Sequence, residues 1–167
     1  MEMRMRLVAP LALVLLWPSA AGAGPVFDRL SGARPGGDPC FARDYDVAHL
    51  RRNPRQKVTH FHMVRDRVDV ADENGPRRFT VRVGFRLRND RDVYATNAIC
   101  TTAGDAADCT GEGDTGAFRI TLSGEGVRLV LERLEVEGGR GGSPDLARSD
   151  DRVFLLQPAR AGACAAP

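Results

Sequence analysis

Between residues 78 and 88 the chain reads RFTVRVGFRLR, and polarity changes at almost every step. Phe79, Val81, Val83, Phe85 and Leu87 share one parity, while Arg78, Thr80, Arg82, Gly84, Arg86 and Arg88 share the other. Successive side chains of a strand point to opposite faces, so this alternation predicts a half-buried β-strand. Further strands are predicted from 57 to 70, in DVYATNAIC, in AFRITL (117 to 122), in VRLVLERLEV and in RVFLL (152 to 156). Asn74-Gly75-Pro76, Asn89-Asp90-Arg91-Asp92 and Ser123-Gly124-Glu125-Gly126 are turn-forming runs between them. In VRLVLERLEV, Val127, Leu129 and Leu131 share a face, but Leu134 and Val136 fall out of phase, which predicts a bulge near Glu132. DYDVAHLRRNP (44 to 54) reads as a short helix, capped by Asp44 or Asp46 and stopped by Pro54 at about Asn53. Six or seven strands with one short N-terminal helix predict a mainly β, antiparallel sandwich or small barrel.

The first residues follow a different pattern. Arg4 and Arg6 precede an apolar run from Leu7 to Trp17, and small residues follow at Ala21-Gly22-Ala23. That order predicts a secretory signal over residues 1–23, with an apolar run too short to cross a bilayer. Residues 24–39, rich in Gly and Pro, read as a flexible leader, and 40–167 as a single β domain. The net charge of +2 falls to about +1 without Arg4, Arg6 and Glu2, too balanced to imply bulk attraction to nucleic acid or membranes. The expected protein is a monomer of the periplasm or a secreted one, with no stable membrane insertion.

All four cysteines, Cys40, Cys100, Cys109 and Cys164, lie beyond the signal. An even count in an oxidising compartment reads as two disulfides. Of the three pairings, Cys100–Cys109 with Cys40–Cys164 is favoured. The first closes a polar loop and the second ties together the two ends of the domain.

Candidate chemistry is sparse. His60 and His62 in VTHFHM form an H-x-H pair whose spacing along a strand, about 7 Å, suits two imidazoles on one copper or zinc ion. A metal site needs more ligands, which His49 or an acid such as Asp44 could supply. In a regular strand Val58, His60, His62 and Val64 point one way, while Thr59, Phe61 and Met63 point the other. If Phe61 and Met63 face the core, both histidines point to solvent. CTTAGDAADCTGEGDTG (100 to 116) reads as a solvated connecting loop, although Asp105, Asp108, Glu112 and Asp114 would suit calcium. Arg78, Arg82, Arg86 and Arg88 form an arginine face able to grip an anion. There is no G-x-S-x-G elbow, H-E-x-x-H, P-loop or Rossmann glycine fingerprint, and bridged cysteines leave no thiol nucleophile. A non-enzymatic protein without a cofactor is therefore expected.

CFARDYDVAHL, CTGEGDTGAF and SDDRVFLL together resemble a family of small exported bacterial proteins with no assigned activity. The resemblance spans residues 40 to 164 and implies a single exported domain with structural cysteines, but transfers no site. It also implies a further cysteine where this chain has Gly113. The expected function is a non-catalytic binding or interaction protein of the envelope, acting on another envelope protein or an anionic glycan. The alternative is a periplasmic copper- or zinc-binding protein using His60 and His62. The two separate on one question, which is where the outward face of strand 57 to 64 lies.

Overall fold

Strand pairing carries the alternation of the sequence round a complete circle. The computed structural model describes residues 25–31, 38–66 and 78–165. The signal at 1–23 and the turn at Asn74-Gly75-Pro76 lie outside the described residues. Seven strands follow in order: β1 (Cys40–Asp44), β2 (Val58–Arg65), β3 (Arg78–Leu87), β4 (Val93–Ala103), β5 (Ala106–Gly111), β6 (Gly116–Ser123) and β7 (Gly126–Leu134). Each pairs antiparallel with the next. β8 (Glu137–Gly138) and β9 (Gly141–Gly142) make a small separate hairpin. β10 (Val153–Ala159) then pairs with both β7 and β1 and closes the barrel. The architecture is the small barrel, not the sandwich. Closure matters physically because it leaves the barrel strands no unpaired edge.

The buried inward positions of the strands are apolar apart from Thr96 in β4, and the barrel is filled with side chains. Phe41, Phe61, Phe79, Phe85, Phe118 and Phe154 are all fully buried. Tyr94, Phe85, Phe61 and Phe154 form a stack that crosses the interior, with successive ring centroids 5.2, 6.0 and 4.1 Å apart. Such contacts add about 0.5–1.5 kcal/mol each beyond the area they bury. The bulge expected in β7 is present: Ala117 faces Arg133 but Phe118 faces Leu131, leaving Glu132 as the extra residue.

Several segments differ from the sequence expectation, the strand β1 among them. Part of the leader is helical, since α1 (Pro25–Ser31) places Val26 and Leu30 in the core and Phe27 edge-on to Phe79. The i, i+4 spacing of Val26 and Leu30 puts both on one helix face, which outweighs the flanking glycines. The stretch from 100 to 116 is not a solvated loop. β4 runs on to Ala103, turns at Gly104 (φ +59°) and returns as β5, burying Ala107 and Cys109. Cys100 faces Cys109 across this hairpin and is bridged to it, while Cys40 is bridged to Cys164. Gly113 occupies a left-handed turn position (φ +61°) that favours glycine over cysteine.

α2 (Val47–Arg52) forms where the sequence placed a helix. Asp46 caps it by accepting from the His49 amide at 2.6 Å, and Asn53 ends it. Arg88 Nη2 donates to the carbonyls of Leu50 (2.6 Å) and Asn53 (3.0 Å), satisfying helix-end acceptors.

Candidate functional site

The outer wall of β1 to β4 can be read as rows of paired residues. One row is Ala42, His62, Gly84 and Ala95; the next is Asp44, His60, Arg86 and Val93; on the other side lie Cys40, Val64, Arg82 and Asn97. The pairing shifts between Val58 and His60. That irregularity turns Val58 inward with Phe61 and Met63, so Val58 does not share the histidine face as a regular strand would require.

His60 and His62 point away from the core, yet they do not reach open solvent. His62 is only 2% exposed. Three features produce that burial. Its row neighbours are Ala42, Gly84 and Ala95, which leave room for a ring against the sheet. A Cβ at Gly84 would stand 2.5 Å from His62 Cε1 and 2.6 Å from Nε2, so the ring rests on the glycine itself. The C-terminal tail, a 3₁₀ turn at Ala161–Ala163, then passes over the pair and is pinned by the Cys40–Cys164 bridge.

The polar contacts form a chain. Asp44 Oδ1 accepts from His60 Nδ1 at 2.7 Å. His60 Nε2 lies 3.2 Å from His62 Nδ1 and 3.1 Å from the carbonyl oxygen of Ala163. Burial holds His62 down to a pKa of about 4, reinforced by the nearby charges of His60, Arg82 and Arg86. His62 is therefore a neutral imidazole at physiological pH. A cavity of about 200 Å³ opens beside the pair, lined by Asp44, His60, His62, Arg86, Val93 and Ala163 among others.

The remaining candidates are dispersed. His49 is not part of the cluster, because its Nε2 pairs with Gln56 Oε1 at 2.8 Å. Of the four arginines, Arg82 and Arg86 are exposed on the outer wall and Arg78 is half-buried. Arg88 lies past the strand end and is committed to α2. Asp108 pairs with Arg119 at 2.7 Å, and Asp105, Glu112 and Asp114 are spread over the two ends of the β4–β5 hairpin. Among the described residues no group of three or more His, Cys, Asp or Glu side chains converges on one point.

Two contributors were invisible along the sequence. The Ala163 carbonyl is over 100 residues from His60, and no side-chain pattern marks a backbone oxygen. Gly84 did leave a signal, since it interrupts the arginine parity of β3, and an isolated strand glycine marks a close approach. No family model, curated protein or solved structure matches this chain. Fold and site together define a disulfide-braced eight-stranded β-barrel with a covered polar cluster on its outer wall. No helix among the described residues is long and apolar enough to cross a membrane.

Proposed function

We propose that the chain is an exported, non-catalytic binding protein of a bacterial envelope that meets its partner on the outer wall of the barrel. The observation that carries this reading is the filled interior. A barrel of eight strands either packs its inside with side chains or holds one small ligand there. Here the stacked aromatic rings of Tyr94, Phe85, Phe61 and Phe154 occupy the interior. Recognition therefore moves outside, where a cavity of about 590 Å³ is lined by Asp38, Arg65, Asp66, Arg82, Asn97 and Glu112 among others. Carboxylates and guanidinium groups stand together in it, which suits a protein segment carrying both charges better than a uniformly anionic glycan. The two disulfides fit an oxidising compartment outside the cytoplasm.

The test is photo-crosslinking in the native host, with a benzophenone amino acid at Asn97. A discrete protein adduct that disappears when Arg82→Glu is added supports the reading. A glycan adduct replaces the protein partner with an anionic sugar. Absence of any adduct from Asn97, while the same reagent at exposed Leu155 also yields none, refutes an outer-wall partner.

A further inference from the structure

We infer that His60 Nε2, His62 Nδ1 and the Ala163 carbonyl oxygen form a binding site for a single divalent copper ion, oriented from behind by Asp44. This inference is independent of the partner proposed above and rests on a mismatch of hydrogen-bonding groups.

A carboxylate oxygen can only accept, so Asp44 fixes the proton of neutral His60 on Nδ1. His60 Nε2 is then a bare lone pair. It faces the Ala163 carbonyl, which can only accept, at 3.1 Å, and a second imidazole nitrogen at 3.2 Å. Three electron-pair donors thus converge with at most one proton among them. A proton on His62 Nδ1 could serve His60 Nε2 but would leave the Ala163 carbonyl facing that nitrogen without a donor, whereas a metal ion satisfies all three together.

The spacing fits. An ion bonded to both nitrogens at about 2.0–2.1 Å, with those nitrogens 3.2 Å apart, subtends an angle of about 100°. The Asp44–His60 contact is the arrangement in which an outer carboxylate orients a metal-binding imidazole and raises its basicity. The adjoining cavity of about 200 Å³ leaves room for waters to complete the coordination.

The donor set also chooses the metal. No third His, Cys, Asp or Glu joins the pair among the described residues, which argues against the three or four side-chain ligands of zinc sites. Two imidazoles, a carbonyl and open water positions suit copper(II), which binds nitrogen donors most strongly among the divalent first-row ions. Arg86 lines the same cavity and Arg82 lies one row away, so both guanidinium groups oppose a cation. Their repulsion weakens any divalent ion alike, and Asp44 offsets part of it.

The test uses protein with both disulfides intact, titrated with copper(II) supplied as its glycine complex to suppress weak adventitious binding. One equivalent should bind, with electron paramagnetic resonance showing coupling to two imidazole nitrogens. Binding should fall at least tenfold in His60→Gln and in His62→Gln, and about 10–100-fold in Asp44→Asn. Zinc should bind more weakly than copper. Circular dichroism checks that each variant is folded, and His60→Gln alone is decisive if His62→Gln fails to fold. No stoichiometric binding by the wild-type protein overturns the site. So does copper retained unchanged by His60→Gln, which would place it elsewhere on the chain.

Discussion

Adding a methyl group at Gly84 should destabilise the protein while His62 is present and stabilise it once His62 is gone. Gly84 is not among the positive-φ glycines, so alanine meets no backbone strain there. Glycine to alanine at a compatible position normally gains about 0.4–1 kcal/mol by restricting the unfolded chain. Against that, the new Cβ would stand 2.5 Å from His62 Cε1 and 2.6 Å from Nε2, with the Tyr94 carbonyl oxygen at 3.3 Å. The imidazole cannot simply lift away, because the tail pinned by Cys40–Cys164 lies over it. Overpacking of this kind costs about 1–3 kcal/mol. The net expectation for Gly84→Ala is a loss of about 1–2 kcal/mol, measured by urea unfolding. In a His62→Ala background the ring is absent, and the same substitution should gain about 0.5–1 kcal/mol. The coupling energy of the double-mutant cycle is then about 2 kcal/mol, within the range of residues in contact. An equal effect of Gly84→Ala in both backgrounds would refute the account of how His62 is seated.

Three further expectations follow from other parts of the fold. Asp151 is buried and accepts from the Lys57 amide (2.7 Å), the Val58 amide (3.1 Å) and Ser149 Oγ (2.9 Å); Asp151→Ala leaves those donors unmatched and should cost about 3 kcal/mol in urea unfolding. Replacing Cys40 and Cys164 by serine opens a closure spanning 124 residues, worth up to about 5 kcal/mol, and should let diethyl pyrocarbonate modify His62, which the intact protein shields. In metal-free protein His62 takes its proton at about pH 4 when folded, against 6.5 for the ordinary side chain. Between those values the unfolded chain binds the extra proton, so stability should fall as pH drops through that window and stay flat above it. The shift corresponds to about 3 kcal/mol, reduced to about 2 kcal/mol by solvent reaching the edge of the tail. His62→Gln should flatten the profile.

How much of this was legible in the sequence depended on whether the information was local. The inward parity of β3 was readable because Phe79 to Leu87 alternate without a break. The α2 cap and the Glu132 bulge were readable for the same reason: each is set by a few neighbouring residues. β5 was missed because alanines and cysteine carry its buried face, and small residues between acids look like a loop. β1 was missed because five residues are too few to show a period. The site itself was half readable. H-x-H announced two imidazoles on one strand, but the bulge between Val58 and His60, the tail and the Ala163 carbonyl are supplied by pairing and by distant chain. Sequence left a metal ion or open solvent as the surroundings of the outward-facing histidines; the fold seats them in a polar pocket outside the barrel and beneath the tail.

The central claim is that His60 and His62 are seated by the fold as a covered pair with a fixed proton arrangement. Long-range proton–nitrogen NMR of the imidazole rings in metal-free, oxidised protein measures this directly. The account predicts that His60 carries a proton on Nδ1, held by Asp44, and that His62 remains neutral until the pH approaches about 4. Two rings that average rapidly between tautomers, with His62 titrating near 6.5 like a free side chain, would place the pair in open solvent and contradict the account.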